Sequence, residues 1–239
     1  MSQRTFSRQP LHMSLSREAL GGYVAAQMDY IFPDRPVARG PLADFISGAL
    51  DRLEYCFRHT NIKGFHAPEG PQFNHLHTDQ YAIFLYFLAN TSFNNAGINP
   101  IAEKAYALNK ALHGLDVFYE VELPDIFCVV HPVGTVLGRA TYRDYFLAYH
   151  NVSVGADLDD NHPVFGCGVV MYGSSRVVGN VAVGSNCLIS EGASFLTGSV
   201  PDGHVAFGRH PNAQSKPTRH NVIRDIFKDV RQRRDVESF

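Results

Sequence analysis

The chain has 239 residues, of which 45% are hydrophobic and 18% charged, with a formal net charge of −2. That balance describes a globular protein able to bury one large core or two modest ones, and it excludes a disordered chain or one held to nucleic acid by a basic field. The four cysteines, Cys56, Cys128, Cys167 and Cys187, have no paired short spacing, which fits a reducing cytosol better than a disulfide scaffold.

The first twenty residues contain no continuous apolar run of signal-peptide length, and the expectation is a soluble, cytoplasmic protein. Ser16 precedes a helical pattern through Ala19, Leu20, Val24 and Met28 that stops at Pro33. A second helix follows Pro41, with Phe45, Leu50, Leu53 and Phe57 toward a core. Residues 60–73 are rich in glycine and proline and read as a loop. Thr78 then caps a strongly apolar helix over 79–88, and a fourth helix runs over 100–113. The apolar stretch from Tyr81 to Ala89 is too short to cross a bilayer, so no membrane partner is expected. Residues 1–115 are expected to form an all-helical domain.

From Val130 onward a different rhythm takes over. Every sixth residue gives Val130, Val136, Tyr142, Ala148 and Val154, then after one pause Phe165, Met171, Val177, Val183, Ile189 and Phe195. Four places further on in each hexad stand mostly smaller residues: Gly134, Ala140, Phe146 and Val152, then Val169, Ser175, Val181, Cys187 and Ala193. Neither a helix nor a long strand keeps register at six, whereas short strands that turn corners do. This is the pattern of hexapeptide β-helix repeats, with three hexads to a coil and coils about 4.8 Å apart. The residue opening each hexad fills the interior, and the smaller one sits where two faces converge. After Phe195 the exposed edge needs closing, and residues 199–213 offer a turn and a short capping strand. The tail over 221–236 alternates basic and acidic residues around Val222, Ile226, Phe227 and Val230, and reads as a solvent-exposed amphipathic helix.

Of the twelve histidines, three stand out by position. His131 directly follows Val130 and points out of the coil; His150 occupies a face; His162 lies in the interruption between Val154 and Phe165, where repeat proteins place functional loops.

HPVGTVLG (131–138), YFLAYHNVSVG (145–155), NHP (161–163) and GVVMYGSSRVVGNVAVG (168–184) together resemble the serine O-acetyltransferases of the hexapeptide-repeat acyltransferases. The resemblance covers roughly the last half of the chain, and the helical half only through His77 and Gln80 in HLHTDQ. It implies an α+β fold: a helical N-terminal domain, a left-handed parallel β-helix over 116–213, and a C-terminal tail over 214–239, read here as helical. It implies that His131 is the catalytic base and Asp116 its partner, and that His162 meets the acceptor beside Asn161 and Val130. The cosubstrate implied is acetyl-CoA, lined by Gly155, Gly173 and Ser174, with its adenine end near Gly208. A homotrimer, with pairing of trimers into hexamers as a further state, is implied too, and no metal. The chemistry is sound: acyl transfer from a thioester to a hydroxyl needs a base working near neutral pH, which histidine supplies, and a carboxylate beside it fixes its tautomer.

Two positions depart from the family. Val130 stands where the family has an aspartate before the catalytic histidine, and Asn161 where it has an arginine. Both family residues serve an amino-acid acceptor, so the acceptor is left open between serine and another small hydroxyl-bearing molecule. The alternatives are transfer to a sugar or other amine, a non-catalytic scaffold, and a γ-type carbonic anhydrase holding zinc on His131, His150 and His162. The last lacks that family's close histidine pair.

Overall fold

The computed structural model describes residues 10–228. Helix α1 (Arg17–Ile31) begins where the Ser16 hydroxyl accepts the Ala19 N–H at 3.1 Å, and it ends just before Pro33, as expected. Helix α2 (Arg39–Arg58) follows, then α3 (Thr78–Ala96) and α4 (Pro100–His113). At α4, Asn99 accepts from the Ile101 and Ala102 amides, Pro100 opens the helix, and Gly114 closes it in the left-handed conformation at φ 62°. Helix α3 is buried on every side from Asp79 to Ser92 because it packs between α2 and α4 and lies on the first strand of the coil. That explains why its apolar pattern is continuous rather than one-sided.

Two expectations for this half need correction. It is not all-helical: Gly70–Phe73 is the central strand of a small sheet, antiparallel to His66–Ala67 and parallel to His12–Met13. Of the glycines and prolines that suggested a loop, Pro68 lies in the two-residue connection of a hairpin, while Gly70 and Pro71 open its second strand. Helix α3 also starts with His77 as its N-cap and Thr78 as its first residue.

The second half is a parallel coil. Its strands visit three sheets in strict rotation, carrying Val129, Leu137 and Tyr142, then Ala148, Val154 and Phe165, then Met171, Val177 and Val183, then Ile189, Phe195 and Val200. All twelve are buried. The hexad register is therefore right from Tyr142 to Phe195 and wrong before it. Val129 and Leu137 are fully buried, while Val136 is 41% exposed and Val130 only partly covered. Ala148 to Val154, Met171 to Val177 and Ile189 to Phe195 are each six residues apart, but Val129 to Leu137 is eight. The first corner thus holds two extra residues and the next step, Leu137 to Tyr142, is one short at five, so counting back by six from Tyr142 lands on Val136 and Val130 instead of Leu137 and Val129. The coil also continues beyond Phe195, through Gly198–Val200 and His204–Phe207, before the antiparallel strand Gln214–Pro217 closes its edge.

The tail differs most from expectation. Within the described residues it holds one short helix, α5 (Val222–Ile226), after which Phe227 forms a bridge with Thr60 instead of continuing the helix, and residues 229–236 lie outside the described residues. Val222 and Phe227 are buried rather than solvated. The segment lies across the coil, with Phe227 edge-on to Tyr145, and reaches the end of α2, where the Asn61 amide donates to Ile226 O at 2.9 Å and the Lys228 amide to His59 O at 2.7 Å. Apolar side chains of an alternating-charge segment are satisfied by the coil's outer wall.

Candidate active site

His131 sits in the enlarged first corner. Its backbone is left-handed, φ 50°, a conformation that costs a residue with a β-carbon about 1–2 kcal/mol, and its ring is 78% exposed. Three residues later Gly134, φ 75°, donates to Gly114 O, which ties the corner to the end of α4. The corner also meets the start of α3. The His131 amide donates to Asp79 Oδ1 at 3.1 Å, and His131 Nδ1 stands 4.0 Å from Asp79 Oδ2. The Asp79 side chain is 7% exposed and lies in the first turn of α3, where unpaired amides and the helix dipole favour a negative charge.

Asp116, the expected partner of His131, is engaged elsewhere. It bridges to Val136 through the backbone, and its carboxylate accepts from Tyr106 Oη at 2.8 Å and pairs with Lys110 Nζ at 2.6 Å. The Asp116 carboxylate raises the Lys110 ammonium, and burial first and then the same carboxylate raise the Tyr106 hydroxyl. Among the described residues Asp79 is the carboxylate within 4.0 Å of the His131 ring. Placing Asp116 one coil away from His131 did bring it to the same region, but Lys110 and Tyr106 take both its oxygens.

Below His131 the same corner repeats on each coil. Asn151, Ser174 and Gly192 share the left-handed conformation of Gly134, at φ 53°, 60° and 66°. His150 occupies the place of His131 one coil on, and its ring covers Gly173 so closely that a β-carbon there would lie 2.6 Å from Nε2. Tyr149 and Tyr172 stack at 5.5 Å on the adjoining edge. Further along, Gly208 accepts from the Ser194 amide, and Arg209 Nε donates to Gly192 O at 3.3 Å. Gly173, Ser174 and Gly208 therefore line one edge that starts at His131 and ends at a guanidinium. Gly155 belongs to the far end of its strand, with open space where a β-carbon would be.

The interruption before Phe165 is a compact loop built on Asp157. Asp157 Oδ1 accepts from the Asp159 and Asn161 amides, and both of its oxygens accept from Asn161 Nδ2. These bonds, the Asn161 side chain first, hold the Asp157 carboxyl below its ordinary range. Asn161 is thus spent inside the loop. His162 is part-buried, with Nε2 3.3 Å from Asp160 and Nδ1 buried without a partner. It lies at the next corner of the coil from His131, and no contact joins the two within one chain.

The chain matches no protein-family model. A serine acetyltransferase of Synechococcus elongatus is 29% identical over 93 residues, which span 37% of this chain and 38% of that protein's length. The serine acetyltransferase of Brucella abortus strain S19 superposes with a TM-score of 0.65 at 20% identity, over 86% of this chain and 85% of that one. A structure of that Brucella protein in complex with coenzyme A gives 0.64 at 16% identity, over 87% and 84%. Its fold is that of the serine acetyltransferases. The likeness extends through the helical half, which sequence resemblance had reached only at His77 and Gln80. Those two residues have structural positions here: Gln80 bonds the Asn74 amide and Gly64 O, and His77 caps α3. Asp79, next to Gln80, was missed. Its signal was an acid in the first turn of a helix, but nothing in the sequence showed that the coil's first strand lies on that helix.

Proposed function

We propose that this chain is an acetyl-CoA-dependent acyltransferase of the serine acetyltransferase type, moving an acetyl group to a small hydroxyl-bearing acceptor by direct transfer. The observation that supports it most is the position of His131: an exposed imidazole on a strained corner, at the head of an edge of small residues that ends at Arg209. The thioester supplies the acetyl group. His131 Nε2 accepts the acceptor's proton as its oxygen attacks, and returns it to the departing sulfur. Gly173, Ser174 and Gly208 let a long, thin ligand lie against backbone, and five coils at about 4.8 Å give that edge roughly 19 Å. Arg209, and the exposed Arg176 that pairs with Ser194 on the same edge, offer cations to phosphates.

His162, from the next corner, faces the acceptor of a neighbouring chain in the homotrimer that this reading entails. Serine is one acceptor class. The loop geometry favours testing others beside it, because Asn161 is bound to Asp157 and Val130 carries no charge, so neither replaces the family's contacts to an amino acid. The test is an acceptor screen with acetyl-CoA, reading free thiol, that includes serine, other hydroxy compounds, sugars and amines. Acceptor-dependent thiol release is the expected result. Failure of the chain to bind coenzyme A, or the absence of release with every acceptor, would overturn the reading in favour of a scaffold.

A further inference from the structure

The geometry points to Asp79, and not Asp116, as the positioning carboxylate of His131, so that the base and its partner come from opposite halves of the chain. This inference rests on the reading of His131 as the base.

Three observations carry it. First, Asp79 is a nearly fully buried carboxylate, which folded proteins keep only with partners, and its contacts converge on one residue: the His131 amide at 3.1 Å and the His131 ring at 4.0 Å. Second, His131 holds a left-handed backbone, and the bond from its amide to Asp79 ties that conformation to the first turn of α3. Third, the competing carboxylate is occupied, since Asp116 is bound by Tyr106 and Lys110. The His131 ring, exposed and free to turn, needs to approach by about 1 Å for Nδ1–H to donate to Asp79 Oδ2. That bond fixes the tautomer with Nε2 unprotonated and facing outward, which is the form a general base requires. The corner's two extra residues have a purpose in this arrangement: they carry residue 131 away from the coil wall and toward the first turn of α3.

The experiment reads the tautomer directly. In the full chain, ring ¹⁵N resonances of His131 at alkaline pH are expected to show the Nδ1–H tautomer. Asp79→Asn keeps an oxygen for the His131 amide and removes the charge. It is expected to shift the ring to the Nε2–H tautomer and to lower kcat by about 10- to 100-fold, with the KM for acetyl-CoA unchanged. Asp116→Asn is expected to leave the tautomer and kcat in place, and Asp79→Glu to restore part of the rate. An Nε2–H tautomer in the wild-type chain overturns the inference without any variant. So does an unchanged tautomer in Asp79→Asn, or a tautomer change in Asp116→Asn. Full activity in His131→Ala with a tautomer governed by Asp79 would instead remove the proposed function and leave the pairing intact.

Discussion

The two halves of this molecule are stabilised in different ways. In the coil each residue meets its equivalents one turn above and below, eighteen residues apart where Arg176 pairs with Ser194 and Val169 with Cys187, and neighbouring coils do most of the packing. The helical half has no repeat. It is one cluster around α3, whose Tyr86 and Phe87 rings pack against Phe127 and so seal the first coil. A glycine shows the contrast. Gly166 sits where a β-carbon would lie 2.6 Å from the Ser185 amide nitrogen of the next coil, whereas a β-carbon on Gly22 in α1 would meet nothing within 4 Å. A repeat array places its tightest constraints where coils touch; a helical cluster places them around its central helix.

The comparison can be broken in several ways, the strongest first. Phe165 is fully buried, stacked on Tyr142 at 5.4 Å and edge-on to Phe146. Phe165→Ala should cost about 3–5 kcal/mol in denaturant unfolding, and a loss below about 1 kcal/mol would mean that the coils are not interlocked there. Gly166→Ala should cost about 1–3 kcal/mol, while Gly22→Ala should raise stability by about 0.5–1 kcal/mol. Equal effects at the two sites would erase the distinction. The helical half should also show an acid limb of its own. Burial pushes the His113 imidazole down to about 4, where it bonds Asn109 and lies edge-on to Tyr81. The folded value is below the unfolded one of about 6.5, so the unfolded chain takes up the proton first. Stability is complete above about pH 6.5 and declines as pH falls toward about 4, by about 2 kcal/mol. Urea unfolding across that range checks it, and His113→Gln should flatten the decline.

The coil was legible because its physics is periodic. From Tyr142 to Phe195 a count of six found the interior residue each time. It failed at Val136 because the step from Leu137 to Tyr142 is five residues, and at Val130 because the corner before Leu137 is longer, where Pro132 and Gly134 were the turn signals. The helices were legible from caps and prolines, at Ser16, Pro33, Asn99 and Pro100. The hairpin at 66–73 was not, since glycine and proline mark a turn without saying whether strands flank it. The tail was misread because charge alternation describes a surface, and only the tertiary contact of Phe227 with Tyr145 shows where its apolar side goes. Within the candidate site, His131 was singled out by its match to the family's histidine and by its place after Val130, although Val130 itself is off the coil's register. Asp79 was not, because it approaches from a segment 52 residues earlier, and the packing of one half on the other is not written in either pattern.

The claim on which the account turns is that His131 removes the acceptor's proton. The most direct measurement is the rate of thiol release from acetyl-CoA, with an acceptor identified by the screen, in wild-type protein and in His131→Ala. The expected result is a fall in kcat of at least about 10²-fold with coenzyme A binding preserved; a variant that binds coenzyme A and turns over at the wild-type rate would contradict it.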